Sequence, residues 1–129
     1  MNSAEAGGPT EEPNRGGTIT DRLQLARDTY RAYESEDRQL IEDLLADDFT
    51  FYSPSDPGID RERYFERCWP NAGTTKSFDY VRLIESGDEV IVTYELTKED
   101  GHRFRNTEVL TFRGDKLAKA EVYFGWDLD

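Results

Sequence analysis

The sequence predicts one α+β domain, with its helices first and a run of antiparallel strands after them. Three observations carry this. Helical periodicity of apolar residues is confined to residues 21–69, an aromatic strand signal interrupts it at 49–52, and four strand-like runs separated by glycine-containing turns fill the rest.

Leu23, Ala26, Tyr30 and Tyr33 form the apolar stripe of a first helix over residues 21–34, with Asp21 and Gln24 spaced as a capping pair. Ser35, Glu36 and Asp37 break that stripe and cap a second helix, whose face is Leu40, Ile41, Leu44 and Leu45 and whose end is near Ala46. Asp47 and Asp48 solvate the helix end and lead into Phe49–Tyr52, rich in the aromatic residues that suit a pleated surface. Pro54, Pro57 and Gly58 then read as a loop. Asp60 caps a third helix, with Ile59 and Tyr64 placed as a hydrophobic staple and Tyr64, Phe65, Cys68 and Trp69 as its buried face, before Pro70 stops it. The four strands span roughly 76–85, 89–98, 103–113 and 117–126, joined at Gly87-Asp88, Asp100-Gly101 and Gly114-Asp115. Consecutive hairpins make an antiparallel meander.

A chain of 129 residues suffices for one core and one internal cavity. Residues 1–17, rich in Gly, Pro, Glu and Asn, bury too little to offset their ordering entropy, so the expected division is a disordered tail over 1–17 and a folded domain over 18–129. The start lacks the basic and apolar pattern of a secretory signal, and no segment approaches the ~20 apolar residues of a membrane span, which gives a soluble, cytoplasmic expectation. A net charge of −12 repels phosphate backbones and anionic lipid, so neither nucleic acid nor membrane is an expected partner. Cys68 is alone and cannot form an internal disulfide; within its apolar stripe it reads as a buried structural thiol.

The stretch LLADDFTFYSP at 44–54 and the closing EVLTFRGDKLAKAEVYFGWD at 108–127 resemble the nuclear transport factor two-like superfamily, in particular its SnoaL-like and ketosteroid-isomerase-like members, over about residues 20–127. The resemblance implies a cone-shaped, cystatin-like roll: three N-terminal helices packed on a curved, mainly antiparallel sheet, a pocket at the wide end, and a homodimer through the outer sheet face. It leaves activity open, because the fold carries isomerases, hydrolases, dehydratases, cyclases and non-catalytic modules. In the ketosteroid isomerases an aspartate before a proline at the end of the first strand moves the substrate proton; here that position is Ser53. The oxyanion-hole tyrosine of the first helix falls near Thr29, beside Tyr30 and Tyr33, which lie on other helical bearings. The second oxyanion-hole acid falls on Glu108. The arginine and aspartate constellation of the limonene epoxide hydrolases is not recognisable at matching positions.

Glu108 stands out without any family. Phe104, Asn106, Glu108, Leu110 and Phe112 share one strand face by period-two alternation. A two-residue Asp100-Gly101 turn would set Glu95 opposite Asn106 and Thr93 opposite Glu108, gathering all four polar residues on one interior surface. A one-residue change in the turn would reverse that pairing and leave Glu108 beside Leu110 and Phe112. The competing arrangement solvates Glu95 and Glu108 and turns Val90, Val92, Tyr94, Leu96 and Val109 to the core. Carboxyls against apolar walls are pushed towards the neutral form, in which they can donate a hydrogen bond to a carbonyl or enolate.

Other signals are plainer. His102 reads as a solvated hairpin residue; with no second histidine and no calcium-loop pattern, neither a metal nor a cofactor is expected. Arg113-Gly114-Asp115 is turn chemistry, and Arg61, Arg63 and Arg67 read as the solvated side of the third helix, with a pocket-mouth anion contact as the lesser option. The resemblance adds Phe51, Phe124 and Trp126 to the pocket wall. The resulting expectation is binding of a small hydrophobic or carbonyl-containing molecule, with Glu108 as the candidate catalytic residue and Tyr30, Phe51, Ser53, Trp69, Glu95, Asn106, Phe124 and Trp126 around the ligand. Isomerase, dehydratase or cyclase chemistry is the enzymatic form of that expectation. The alternative is a non-catalytic dimeric module whose cavity is closed by Phe51, Trp69 and Trp126.

Overall fold

Asp21 turns the chain into helix: its carboxylate accepts the Gln24 N–H at 3.1 Å, and α1 runs Arg22–Ser35. The computed structural model describes residues 21–129, so the tail expected over residues 1–17 lies outside the described residues. Asp37 repeats the cap on Leu40 N at 3.1 Å and starts α2, Arg38–Leu44; Asp60 does so on Arg63 N at 2.9 Å and starts α3, Arg61–Arg67. Each side chain satisfies an amide that the helix itself leaves orphaned, which typically contributes about 1 kcal/mol. Pro70 falls in a 3-10 turn, Trp69–Thr74, that leads from α3 into the sheet.

Six strands form one sheet: β1 Leu45–Ser53, β2 Asp56–Asp60, β3 Thr75–Ser86, β4 Glu89–Lys98, β5 Arg103–Arg113 and β6 Lys116–Asp127. Their order is β2-β1-β6-β5-β4-β3, with β1 parallel to β6 and every other pair antiparallel. The α+β roll expected from the sequence is the fold observed. β1 begins earlier than the aromatic signal, at Leu45 directly after α2, so Asp47 and Asp48 are exposed strand residues rather than a helix end. Pro57 and Gly58 signal a loop, yet Asp56–Asp60 forms β2. As an edge strand it tolerates a residue without an N–H, and Gly58, at φ 85°, lets the backbone pass over the Tyr52 ring.

Ile41, Phe49, Val90, Val92, Leu110, Phe112 and Leu117 are fully buried between the helices and the sheet. Each such side chain contributes roughly 1.5–3 kcal/mol through burial.

The turn between β4 and β5 decides which polar residues reach that interior. The last strand pair is Thr97 with Arg103; Lys98 N donates to His102 O at 2.9 Å, and Gly101 takes a positive φ of 92°. The connection thus holds Glu99, Asp100 and Gly101, one residue more than the two-residue turn expected, and the register moves by one. Tyr94 lies opposite Asn106, Val92 opposite Glu108, and Glu95 opposite Arg105. Glu95 and Thr93 therefore do not join Asn106 and Glu108 on the inner surface. The two apolar sets that seemed to compete, Val90 to Leu96 on β4 and Leu110 with Phe112 on β5, face the same core, and Val109 pairs with Ile91 on the other side.

Candidate functional site

Glu108 lies in the middle of β5 with Val92 and Val122 as its neighbours across the sheet. Tyr94 Oη donates to Glu108 Oε2 at 2.7 Å, and Asn106 Nδ2 reaches the same tyrosine oxygen at 3.4 Å. Asn106 is oriented in turn by Gly125, whose N–H donates to Asn106 Oδ1 at 3.2 Å. A side chain at 125 would put a carbon 2.2 Å from the Arg105 carbonyl oxygen, so the close approach of β6 to β5 at this irregularity requires glycine. Burial pushes the Glu108 carboxyl up to about 7, against opposing pulls from the Tyr94 and Tyr30 hydroxyls that favour its charged form. The Tyr30 hydroxyl is close enough to act on Glu108 yet makes no hydrogen bond of ordinary geometry, so it is a buried donor available to another oxygen.

These groups line a cavity of about 570 Å³, and the surface that Glu108 keeps faces this space. Phe49, Phe51, Tyr64 and Phe78 supply aromatic wall; Phe124 and Trp126, 58% and 62% exposed, stand at its rim. The structure brings Glu108, Tyr30, Phe51, Ser53, Asn106, Phe124 and Trp126 to this cavity. Two expected members are elsewhere. Glu95 is on the opposite sheet face, paired with Arg103 and Arg105, because the longer turn changed the register. Trp69 packs edge-on against Tyr33 with ring centroids 5.0 Å apart; Tyr33 lines the cavity and Trp69 does not.

Thr29, the position aligned with the oxyanion-hole tyrosine, bonds back to Leu25 O at 3.0 Å, and its neighbour Tyr30 faces Glu108 instead. Tyr33 and Tyr64 share a hydrogen bond at 2.5 Å, and burial holds both phenols far above their usual range. Cys68 is buried beside them, its thiol pushed up to about 12 chiefly by burial, as suits an inert structural sulfur.

A second polar group lines the same cavity: Ser53, expected there, and Arg67, the lesser option for a pocket-mouth contact, are joined by Asp56, which the sequence did not single out. Ser53 Oγ accepts the amides of Ser55 at 3.2 Å and Asp56 at 3.1 Å and donates to Asp56 Oδ2 at 3.3 Å. Arg67 Nε donates to Asp56 Oδ1. Asp56 sits in the segment SPSDPG, which reads as a turn, and only the β1–β2 hairpin turns its buried carboxylate towards α3. Tyr94 was missed for a different reason: its signal in the sequence is that of a core aromatic.

A SnoaL-like domain profile matches residues 26–120. The chain belongs to the SnoaL-like domain family. Its fold is that of the nuclear transport factor two-like superfamily. An NTF2-like protein of unknown function from Cytophaga hutchinsonii superposes with a TM-score of 0.68 at 20% identity, covering 84% of this chain and 94% of that one. A candidate ketosteroid isomerase from Kribbella flavida gives 0.66 at 18% identity, covering 83% and 79%. A candidate polyketide cyclase from Sinorhizobium meliloti gives 0.65 at 15% identity, covering 77% and 93%. Such identities establish the shared fold alone. No curated protein matches the chain by sequence. Within this SnoaL-like domain, no described helix is long and apolar enough to cross a membrane, and the described residues contain no cluster of three metal-ligating side chains. Beside the apolar space stands a group suited to proton transfer: the Glu108 carboxyl, pushed up to about 7 by burial and held by Tyr94.

Proposed function

We propose that this SnoaL-like domain binds a small hydrophobic or carbonyl-containing molecule, its oxygen set against Glu108, Tyr94 and Asn106. Acid/base chemistry of the isomerase, dehydratase or cyclase kind then centres on Glu108. The observation that carries this reading is a carboxyl on the wall of a cavity of about 570 Å³, bonded to Tyr94 and pushed up to about 7 by the apolar surroundings. The Tyr30 hydroxyl, beside Glu108, adds a second phenol donor on the same wall. Ser53 contributes through Asp56, and Glu95 has no part.

Titration with 2-naphthol, whose hydroxyl stands in for an enol, tests the binding step. Saturable binding by the wild-type chain is expected, weakened roughly tenfold in Glu108→Gln, the size of one hydrogen bond to a charged or acidic group. Equal affinity in the two proteins would remove Glu108 from the reading.

Pairing of two copies through the outer sheet face is the companion proposal. Ile84, Ile91 and Val109 form an apolar row across β3, β4 and β5 on that face, and Ile84 and Tyr123 are 50% and 55% exposed. Sedimentation velocity of the wild type against an Ile84→Glu, Tyr123→Glu double variant reports it, the variant being expected as monomer.

A further inference from the structure

The polar group at Ser53, Asp56 and Arg67 is larger than the reading above needs. Arg67 commits its Nε to Asp56, and its two terminal amino groups make no hydrogen bond to the described residues. Asp56 is already held by Ser53 Oγ and by Arg67, and its side chain is only 12% exposed, so its place in this cluster is fixed. Lys98 is a second cation on the cavity wall and has no carboxylate within ion-pair distance among the described residues. Asn71 also lines the cavity, and its side-chain amide makes no hydrogen bond there. Both polar groups, Asp56 with Arg67 and Glu108 with its partners, line the same cavity of about 570 Å³, where one small molecule can meet them together. Arg67 and Lys98 are the two cations in the lining, which also holds the carboxyl residues Asp56, Glu108 and Asp127, so in a chain of net charge −12 the open guanidinium edge and the ammonium are the places on this wall that would attract an anion.

We infer that the ligand carries a carboxylate: its carbonyl or hydroxyl oxygen meets Glu108 while its carboxylate takes the open edge of Arg67, with Asn71 and Lys98 beside it. A planar guanidinium edge with two parallel N–H groups matches a carboxylate in shape as well as charge. Asp56 keeps that edge in place. The Asp56–Arg67 pair is thus a positioning device for an acidic ligand, and this assignment rests on the cavity reading above.

The test compares 2-naphthol with 6-hydroxy-2-naphthoate, probes that differ only by the carboxylate. On the wild-type chain the naphthoate is expected to bind roughly tenfold more tightly at low salt, an advantage that shrinks at high salt. In Arg67→Met the ratio of the two dissociation constants is expected to fall to about one. Using the ratio within one protein cancels any general loosening of the cavity. Should Arg67→Met fail to fold because Asp56 is left unpaired, the Asp56→Asn, Arg67→Gln double variant removes both charges and is expected to give the same ratio. Binding of 2-naphthol with no preference for the carboxylate, or a preference that survives both variants, overturns the inference alone. Failure of both probes to bind removes the cavity reading beneath it.

Discussion

Tyr94 and Glu108 lie on adjacent strands but are not directly opposed: Tyr94 faces Asn106, and its hydroxyl reaches diagonally to the carboxyl two residues further along β5 at 2.7 Å. That diagonal bond favours the ionised carboxyl against the desolvation that raises its pKa to about 7. Tyr94→Phe is therefore expected to move Glu108 above 7, with a loss of about 1–2 kcal/mol in stability. The carboxyl carbon resonance of Glu108 followed through a pH titration measures the shift; an unchanged midpoint would mean that the bond does not form in solution.

Glu108 also makes stability depend on pH in a direction opposite to most carboxylates. In an unfolded chain it would ionise near 4.5, whereas in the fold it does so near 7. Between these values the folded protein holds a proton that the unfolded one has released, so rising pH favours unfolding across that window. The cost is absent below pH 4.5 and complete above about pH 7, where it reaches roughly 3 kcal/mol. Glu108→Gln should cancel this contribution. Urea denaturation of both proteins at pH 5 and pH 8 checks it, the variant gaining on the wild type at the higher pH.

Gly125 sets Asn106 by a backbone hydrogen bond at 3.2 Å and tolerates no side chain against the Arg105 carbonyl. Gly125→Ala must push β6 from β5 at this point. A destabilisation of about 1–3 kcal/mol is expected, as for other overpacked sites, together with weaker 2-naphthol binding as Asn106 is released. A denaturation midpoint equal to the wild type would contradict the tight approach.

Glu95 gives the opposite expectation. Its carboxylate, held below its ordinary range chiefly by its hydrogen bond from Arg105, belongs to the outer face. Glu95→Gln should leave 2-naphthol affinity unchanged within error. A several-fold loss would place the side chain in the cavity after all.

Local chemistry made much of the fold legible. Asp21, Asp37 and Asp60 cap three helices because each sits where an amphipathic stripe begins, and Gly87 and Gly114 take the positive φ of two-residue hairpins as expected. Glu108 was legible as well, since alternation placed one carboxyl among Leu110 and Phe112. What escaped were features set by contacts distant in sequence. The β1–β2 hairpin hides behind Pro57 and Gly58, which signal a loop anywhere but on a sheet edge, and it alone brings Asp56 to Arg67.

The sequence by itself determined the α+β class, the three helix starts and the carboxyl at position 108, because periodicity, caps and turns act over a few residues. The tertiary structure decided which partners that carboxyl keeps. One extra residue in the turn after Lys98 exchanged Glu95 for Tyr94 on the inner surface, since a strand has only two faces and burial of Val90, Val92, Leu110 and Phe112 fixes which one turns inward.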